Sequence, residues 1–470
     1  MEEAVEQQIT TEEFERTPIP QSKLKGWKSF LGMYAGEHAA GTELVIGPLF
    51  LTAGVSAFDL LIGLLVGNFL AVASWRFITA PVATKMRLTL YYQLERICGR
   101  NLVTVYNLAN GLLFCFLAGA MITVAATAVG IPFDMEMPQL TDAYPTGVTW
   151  VVVVLAVGAV ISFVAAKGYD TVSKFANIIA PWMIIVFLVA GIVSTGRLGV
   201  NSFSDFWAIW GEGSDPFPGQ IKFTFWHVVF FAWFCNAAMH VGMSDLTILR
   251  FAKKPSMGWA SATGIYVGHY MAWIAACLLY AFYIRSAEAQ AVIAAGGSPA
   301  VSPGPLTYDA LGVAGLICVI VAGWTTANPT IYRAGLAFQA IIPKASRFKV
   351  TLATGAIATI AGLFPAFAMK LLDFVAVYGF ILSPIGAIIF FDFYFSDKIG
   401  LQSAYAEKAK LKFNVAVLLA WLVSMAIFYY LSASQDIFLS FFTAPAWITC
   451  GVLFLAFSYM FQKKKSAQTV

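Results

Sequence analysis

Two polar clusters interrupt stretches that are otherwise apolar enough to lie in a membrane. The first reads Gly36-Glu37-His38-Ala39-Ala40-Gly41-Thr42-Glu43 and sits inside residues 27–54. The second reads Cys235-Asn236-Ala237-Ala238-Met239-His240-Val241-Gly242 and sits inside residues 223–250. A carboxylate or imidazole at bilayer depth is costly unless it faces protein, water or ligand, so such residues mark ion and substrate paths. Glycines permit unwinding, and an unwound turn frees backbone carbonyls and amides that must find partners. Gly36 and Gly41 bracket the first cluster, leaving carbonyls such as those of Gly36 and Ala39 free to turn toward a cation. A hard cation such as sodium takes oxygen ligands.

Further oxygens are offered by Trp324-Thr325-Thr326-Ala327-Asn328-Pro329-Thr330. Adjacent threonines fall about 100° apart on a helix, so both reach one point, with the Ala322 carbonyl one turn earlier. The competing reading is that both hydroxyls bond back to their own helix. Pro329 removes one backbone bond there, and Asn328 beside it needs a partner.

The elements that hold these residues are membrane helices. The chain has 470 residues, 59% of them hydrophobic and 11% charged, with a mean hydropathy of +0.76. That leaves too little polar surface to cover a soluble globule of this size. A spanning helix needs about 20 apolar residues. About twelve such stretches begin near Trp27, Asp59, Leu102, Val148, Phe175, Phe223, Gly258, Leu311, Val350, Phe374, Phe413 and Ile437. With both termini in the cytoplasm, 25 of the 29 Lys and Arg residues fall on the inner side and only Arg197, Lys222, Arg285 and Lys370 outside, as the positive-inside rule asks. Arg333 is counted among the inner residues. The basic clusters therefore read as topology signals, and no nucleic-acid partner is expected.

Residues 1–26 read as a polar cytoplasmic tail, 27–196 as five helices, 197–222 as an outer connection, 223–396 as five more helices, 397–462 as two appended helices and 463–470 as a second cytoplasmic tail. Both five-helix sets open on an interrupted span, the pattern of inverted-topology repeats with a site at the midplane. Residues 88–99 read as an amphipathic helix at the inner interface. The six cysteines include no Cys-x-x-Cys pair, so neither a disulfide framework nor a zinc site is expected. No paired intramembrane aspartates or His-rich metal motif supports an enzyme, no filter repeat supports a channel, and no cofactor is expected. These features predict a secondary transporter.

Pro18-Ile19-Pro20-Gln21-Ser22, Leu65-Val66-Gly67-Asn68, Ser244-Asp245-Leu246-Thr247-Ile248-Leu249-Arg250, and Trp324-Thr325-Thr326 with Tyr332-Arg333-Ala334-Gly335-Leu336 occur in this order. Together they resemble the nucleobase:cation symporter-1 family, nearest to its cytosine and purine permeases. The resemblance implies an all-α membrane protein of the LeuT-type fold, with 12 transmembrane helices in a 5+5 inverted repeat plus two and with helices 1 and 6 broken. It implies import of a nucleobase or related heterocycle driven by sodium or protons, in a plasma membrane that is a bacterial inner membrane. Carried over by position, the sodium site would use Thr325 and Thr326 with carbonyls of Gly36, Ala39 and Ala322. The substrate site would lie between spans one, three, six and eight. The family's stacking tryptophan falls near Phe114 and its amide-bearing glutamine near Asn110 or Gly111. The pocket continues near Trp233 and Asn236 in span six and near Asn328 in span eight.

Glu37 and His38 depart from the family pattern in the first break. They could bind a protonated amine or an aminopyrimidine, or take up the coupling proton, which keeps a proton-coupled amine or amino-acid transporter as the alternative. The structural readings are a carboxylate held by free backbone amides for Glu37 and core packing for His38. Glu43 is expected to line the outer vestibule, Trp226 and His227 to lie at the interface, His240 to be a site candidate, and His269 to be a satisfied core residue. Asp245 with Arg250 at the inner end of span six is expected to form a cytoplasmic gate or salt bridge. Asp392 is expected at an inner gate or salt bridge.

Overall fold

The computed structural model describes residues 13–140 and 142–466. The expected tail segments 1–12 and 467–470 lie outside the described residues. Nine helices among them are long and apolar enough to cross a bilayer, and the two interrupted spans and Arg347–Gly362 complete twelve.

The first span is two helices, α1 (Trp27–His38) and α2 (Glu43–Thr52). Ala39 leaves the helical region, with ψ at 61°, and the chain crosses Ala40–Thr42 before Glu43 restarts the helix. Next come α3 (Ala57–Met86), α4 (Leu90–Cys98), α5 (Arg100–Val129), α6 (Val148–Ala166) and α7 (Tyr169–Arg197). Helix α4 buries Leu90, Tyr91, Leu94 and Ile97, the apolar face expected of residues 88–99, and Thr89 caps it by accepting the Tyr92 N–H at 3.2 Å. Helix α7 starts six residues before the expected Phe175. Its start is fixed by the Glu13 carboxylate, which accepts the Tyr169 N–H at 2.7 Å from 156 positions away.

The sixth span consists of α8 (Phe225–Phe234), a turn-rich segment through Asp245 with Met243 at φ 63°, and α9 (Leu246–Leu249). Then follow α10 (Pro255–Tyr283), α11 (Val313–Ile341), α12 (Arg347–Gly362), α13 (Leu371–Phe391), α14 (Val415–Gln435) and α15 (Thr443–Ser466). Helices α5 and α11 pack together along most of their lengths.

Both breaks are clasped by a glycine from a neighbouring helix. A β-carbon at Gly268, in the wide turn of α10, would lie 2.0 Å from the His38 carbonyl oxygen. One at Gly386 of α13 would lie 1.8 Å from that of Val241. Only a residue without a side chain lets these helices approach the exposed backbone so closely.

The chain before α1 packs across the ends of several helices. Ile19 and Glu15 are buried there. Glu13 accepts from the Tyr332 hydroxyl at 2.8 Å, Phe14 accepts from Arg250 at 2.8 Å, and Arg16 pairs with Glu95 at 2.6 Å.

Candidate functional site

The first break and α11 meet through Thr326. Its hydroxyl lies 2.9 Å from the Glu37 carbonyl and 3.1 Å from that of Ala322. Thr325 also reaches the Ala322 carbonyl, at 3.1 Å, and Met183 of α7 at 3.5 Å. Back-bonding to Ala322 is thus present for both threonines, and only Thr326 spans to the break. Gly36 packs against Ala176 of α7, and Gly41 faces Gly323 of α11. Among the described residues no three His, Cys, Asp or Glu side chains gather as metal ligands. A cation held here would therefore be bound by carbonyl and hydroxyl oxygens.

Glu37 is not held by free backbone amides. Both its carboxylate oxygens accept from the guanidinium of Arg333, which also donates to Asp245 at 2.6 Å. Asp245 accepts in addition from the Tyr34 hydroxyl at 2.8 Å and the Trp75 indole at 2.6 Å. This corrects two expectations. Arg333 is not an inner-surface residue, being fully buried two turns beyond Thr326, and Asp245 pairs with it and not with Arg250. Arg250 donates instead to the carbonyls of Thr247 and Phe14. Little in the sequence pointed to this, because a span of about 20 residues starting near Leu311 ends close to Arg333.

A second group surrounds Trp75. Its ring lies 5.9 Å from that of His38 and 4.6 Å from that of His240. His38 lies 5.2 Å from His269, which stacks on Trp273 at 4.2 Å. The Asn236 amide reaches His269 Nε2 at 3.2 Å. One nitrogen of each of the three imidazoles is buried without a partner among the described residues, as are both amide atoms of Asn328. His269 is therefore not the fully satisfied core residue expected.

The remaining residues lie on separate flanks. Phe114 is buried and meets Tyr378 edge-on at 5.4 Å, and Asn110 donates to Tyr91 at 3.3 Å. Trp233 donates to Ser74 of α3 at 3.0 Å and stacks on Phe234, so its contacts run away from α5 and α11. Glu43 is buried and accepts from the Trp273 indole; it does not line an outer vestibule. His227 caps α8 with Thr224. Asp392 accepts the Ala404 N–H at 3.0 Å and pairs with no base among the described residues. A cavity of about 480 Å³ opens between Arg197, Phe282, Arg285 and Asp309, and none of the candidate residues above lines it.

No family model and no curated protein matches the chain in sequence. Solved structures do. Mhp1, a nucleobase-cation-symport-1 family transporter in a closed conformation with bromovinylhydantoin bound, aligns with a TM-score of 0.71, 13% identity and 96% coverage of each chain. Inward-facing Mhp1 aligns at 0.63 with 14% identity over 96% of each chain. A substrate-bound, outward-open Na+-coupled sialic acid symporter aligns at 0.63 with 14% identity, over 97% of this chain and 93% of that one. The chain has the LeuT-type fold. In that fold α1 and α2 form the broken first helix, and α8 and α9 form the broken sixth. Helix α11 is the eighth, which carries Thr325 and Thr326 past the first break.

Proposed function

We propose that this protein is a cation-coupled symporter that imports a nucleobase or related small nitrogen heterocycle by alternating access. It would sit in the bacterial inner membrane with both termini in the cytoplasm, its two five-helix repeats spanning residues 27–196 and 223–396. Solved structures of the same fold include Mhp1 with bromovinylhydantoin and a Na+-coupled sialic acid symporter, which supports both parts of the reading.

The observation that carries it is the contact of the Thr326 hydroxyl with the Glu37 carbonyl, 2.9 Å across the first break. It joins a free carbonyl of a broken helix to a hydroxyl of the facing one, two of the oxygen types a sodium ion takes. The coupling ion would be bound by carbonyls of Gly36, Ala39 and Ala322 with the hydroxyls of Thr325 and Thr326. The heterocycle would bind beside His38, Asn236 and Asn328, while Asn110, Phe114 and Trp233 are turned to other partners. The buried, unpartnered amide of Asn328 and the imidazole nitrogens are the groups that hydrogen bonds from a ring edge would satisfy. Glu37 is already committed to Arg333, which weighs against the alternative of an amine paired with Glu37.

The test is a thermal-shift screen of the purified protein in sodium and in choline chloride. The ligands are cytosine, adenine, allantoin, hydroxymethylpyrimidine and simple amines. A sodium-dependent rise with one or more heterocycles is expected, because a ligand that binds only the folded state stabilises it. Stabilisation by amines alone would overturn the heterocycle reading.

A further inference from the structure

We propose that Asp245 and Arg333 are positioning residues of the coupling-cation site. With Glu37 they leave one uncompensated negative charge beside the first break, and a bound monovalent cation neutralises it. The inference rests on the cation-coupled reading and adds to it the charge that makes the cation necessary.

The count follows from donors and acceptors. Asp245 accepts from three donors, the Arg333 guanidinium at 2.6 Å, the Tyr34 hydroxyl at 2.8 Å and the Trp75 indole at 2.6 Å. Only the acceptor-only carboxylate form of an acid can use every one of these donors. Both Glu37 oxygens likewise accept from the Arg333 guanidinium. One guanidinium therefore serves two carboxylates, and all three side chains are buried.

No second positive charge joins them among the described residues. Arg250 turns to the Phe14 and Thr247 carbonyls at the inner surface. His38 bonds the Tyr34 carbonyl through Nδ1 at 3.0 Å and has no partner at Nε2. His240 bonds the Trp233 carbonyl through Nε2 at 2.9 Å and has no partner at Nδ1. As an imidazolium, either would bury a charged N–H without an acceptor, a large desolvation cost, so both count as neutral.

A net negative charge buried in a membrane protein is expensive unless a counter-ion meets it. The excess charge here reaches the residue whose carbonyl meets Thr326, 2.9 Å away. A cation at the threonines would thus sit beside the backbone of Glu37, the residue whose carboxylate shares the guanidinium.

Sodium-dependent stabilisation, measured at constant ionic strength with choline as the replacement cation, separates this from a purely structural role. A unit charge about 10 Å away at an effective dielectric of about 20 changes cation affinity roughly tenfold. Asp245→Asn removes the excess charge, so half-saturating sodium should rise roughly tenfold, and Arg333→Gln doubles the excess, so it should fall by a similar factor. Asp245→Glu and Arg333→Lys preserve charge and should stay near the parent value. Shifts of the same sign in Asp245→Asn and Arg333→Gln would overturn the inference. If Arg333→Gln does not fold, Asp245→Asn against Asp245→Glu decides it: equal sodium dependence overturns the inference, and weakening in Asp245→Asn alone supports it. A parent protein that sodium does not stabilise at all would overturn the sodium reading together with this one, whereas a stabilised parent with no divergence overturns this one alone.

Discussion

Replacing Thr326 with valine keeps the branched shape and removes only the hydroxyl. That oxygen lies 2.9 Å from the Glu37 carbonyl and 3.1 Å from the Ala322 carbonyl. The Ala322 oxygen keeps its contact with Thr325 at 3.1 Å, so the group left without a side-chain donor is the Glu37 carbonyl at the end of α1. Leaving a buried acceptor unpaired costs about 1–3 kcal/mol, which is the expected loss of stability in the absence of sodium. The effect on the cation is separate. Sodium at 100 times its dissociation constant stabilises the parent by about 2.7 kcal/mol. If losing one of the oxygen ligands raises that constant tenfold, the same concentration stabilises the variant by only about 1.4 kcal/mol. Thermal melting in detergent across a sodium titration reads both quantities, and Thr326→Ser should restore both. A Thr326→Val protein with the full sodium-induced shift would refute a role for this hydroxyl in cation binding.

Trp75→Phe keeps an aromatic ring against His240 but deletes the donor 2.6 Å from Asp245; we expect a loss of about 1.5–3 kcal/mol, read by melting, with the double variant Trp75→Phe, Asp245→Asn losing less than the sum of the two single changes. Gly386→Ala would place a β-carbon 1.8 Å from the Val241 carbonyl, so the purified variant should melt well below the parent, and an unchanged melting curve would argue against the clasp at the second break. Burial holds the Glu15 carboxyl above the usual glutamate range, with the neighbouring backbone and Arg250 only partly opposing it. The protonated form therefore favours the docked tail. That stabilisation is full below the ordinary glutamate pKa of about 4.3 and is lost as pH rises through the elevated one, so proteolytic nicking of residues 13–25 should increase with pH. Glu15→Gln should flatten the profile.

Much of the architecture was legible because the solvent is lipid. Apolar runs of spanning length, punctuated by basic turns, place α3, α5, α6 and α11 within a few residues of their observed bounds. The breaks were legible because Gly36, Gly41 and the polar residues between them defy the surrounding hydrophobicity. What pattern could not supply is pairing across distance. The start of α7 depends on Glu13, 156 residues earlier, and Asp245 chose Arg333, 88 residues away, over Arg250 in the next turn. Inner-flank arginines and buried arginines look alike in a charge count, and Arg333 was hidden for that reason. Tertiary packing also separated residues that position along the chain had grouped: Trp233 turned toward Ser74, while Phe114 met Tyr378.

Whether a cation gradient drives uptake of a small nitrogen heterocycle is read most directly in reconstituted transport. Proteoliposomes would be given radiolabelled heterocycles under an inward sodium gradient, an inward proton gradient, or neither. At least one heterocycle should accumulate above equilibrium only with a gradient, and an ionophore for that cation should abolish the accumulation. Equal uptake with and without any cation gradient, or accumulation of amines but of no heterocycle, would contradict cation-driven uptake of a heterocycle.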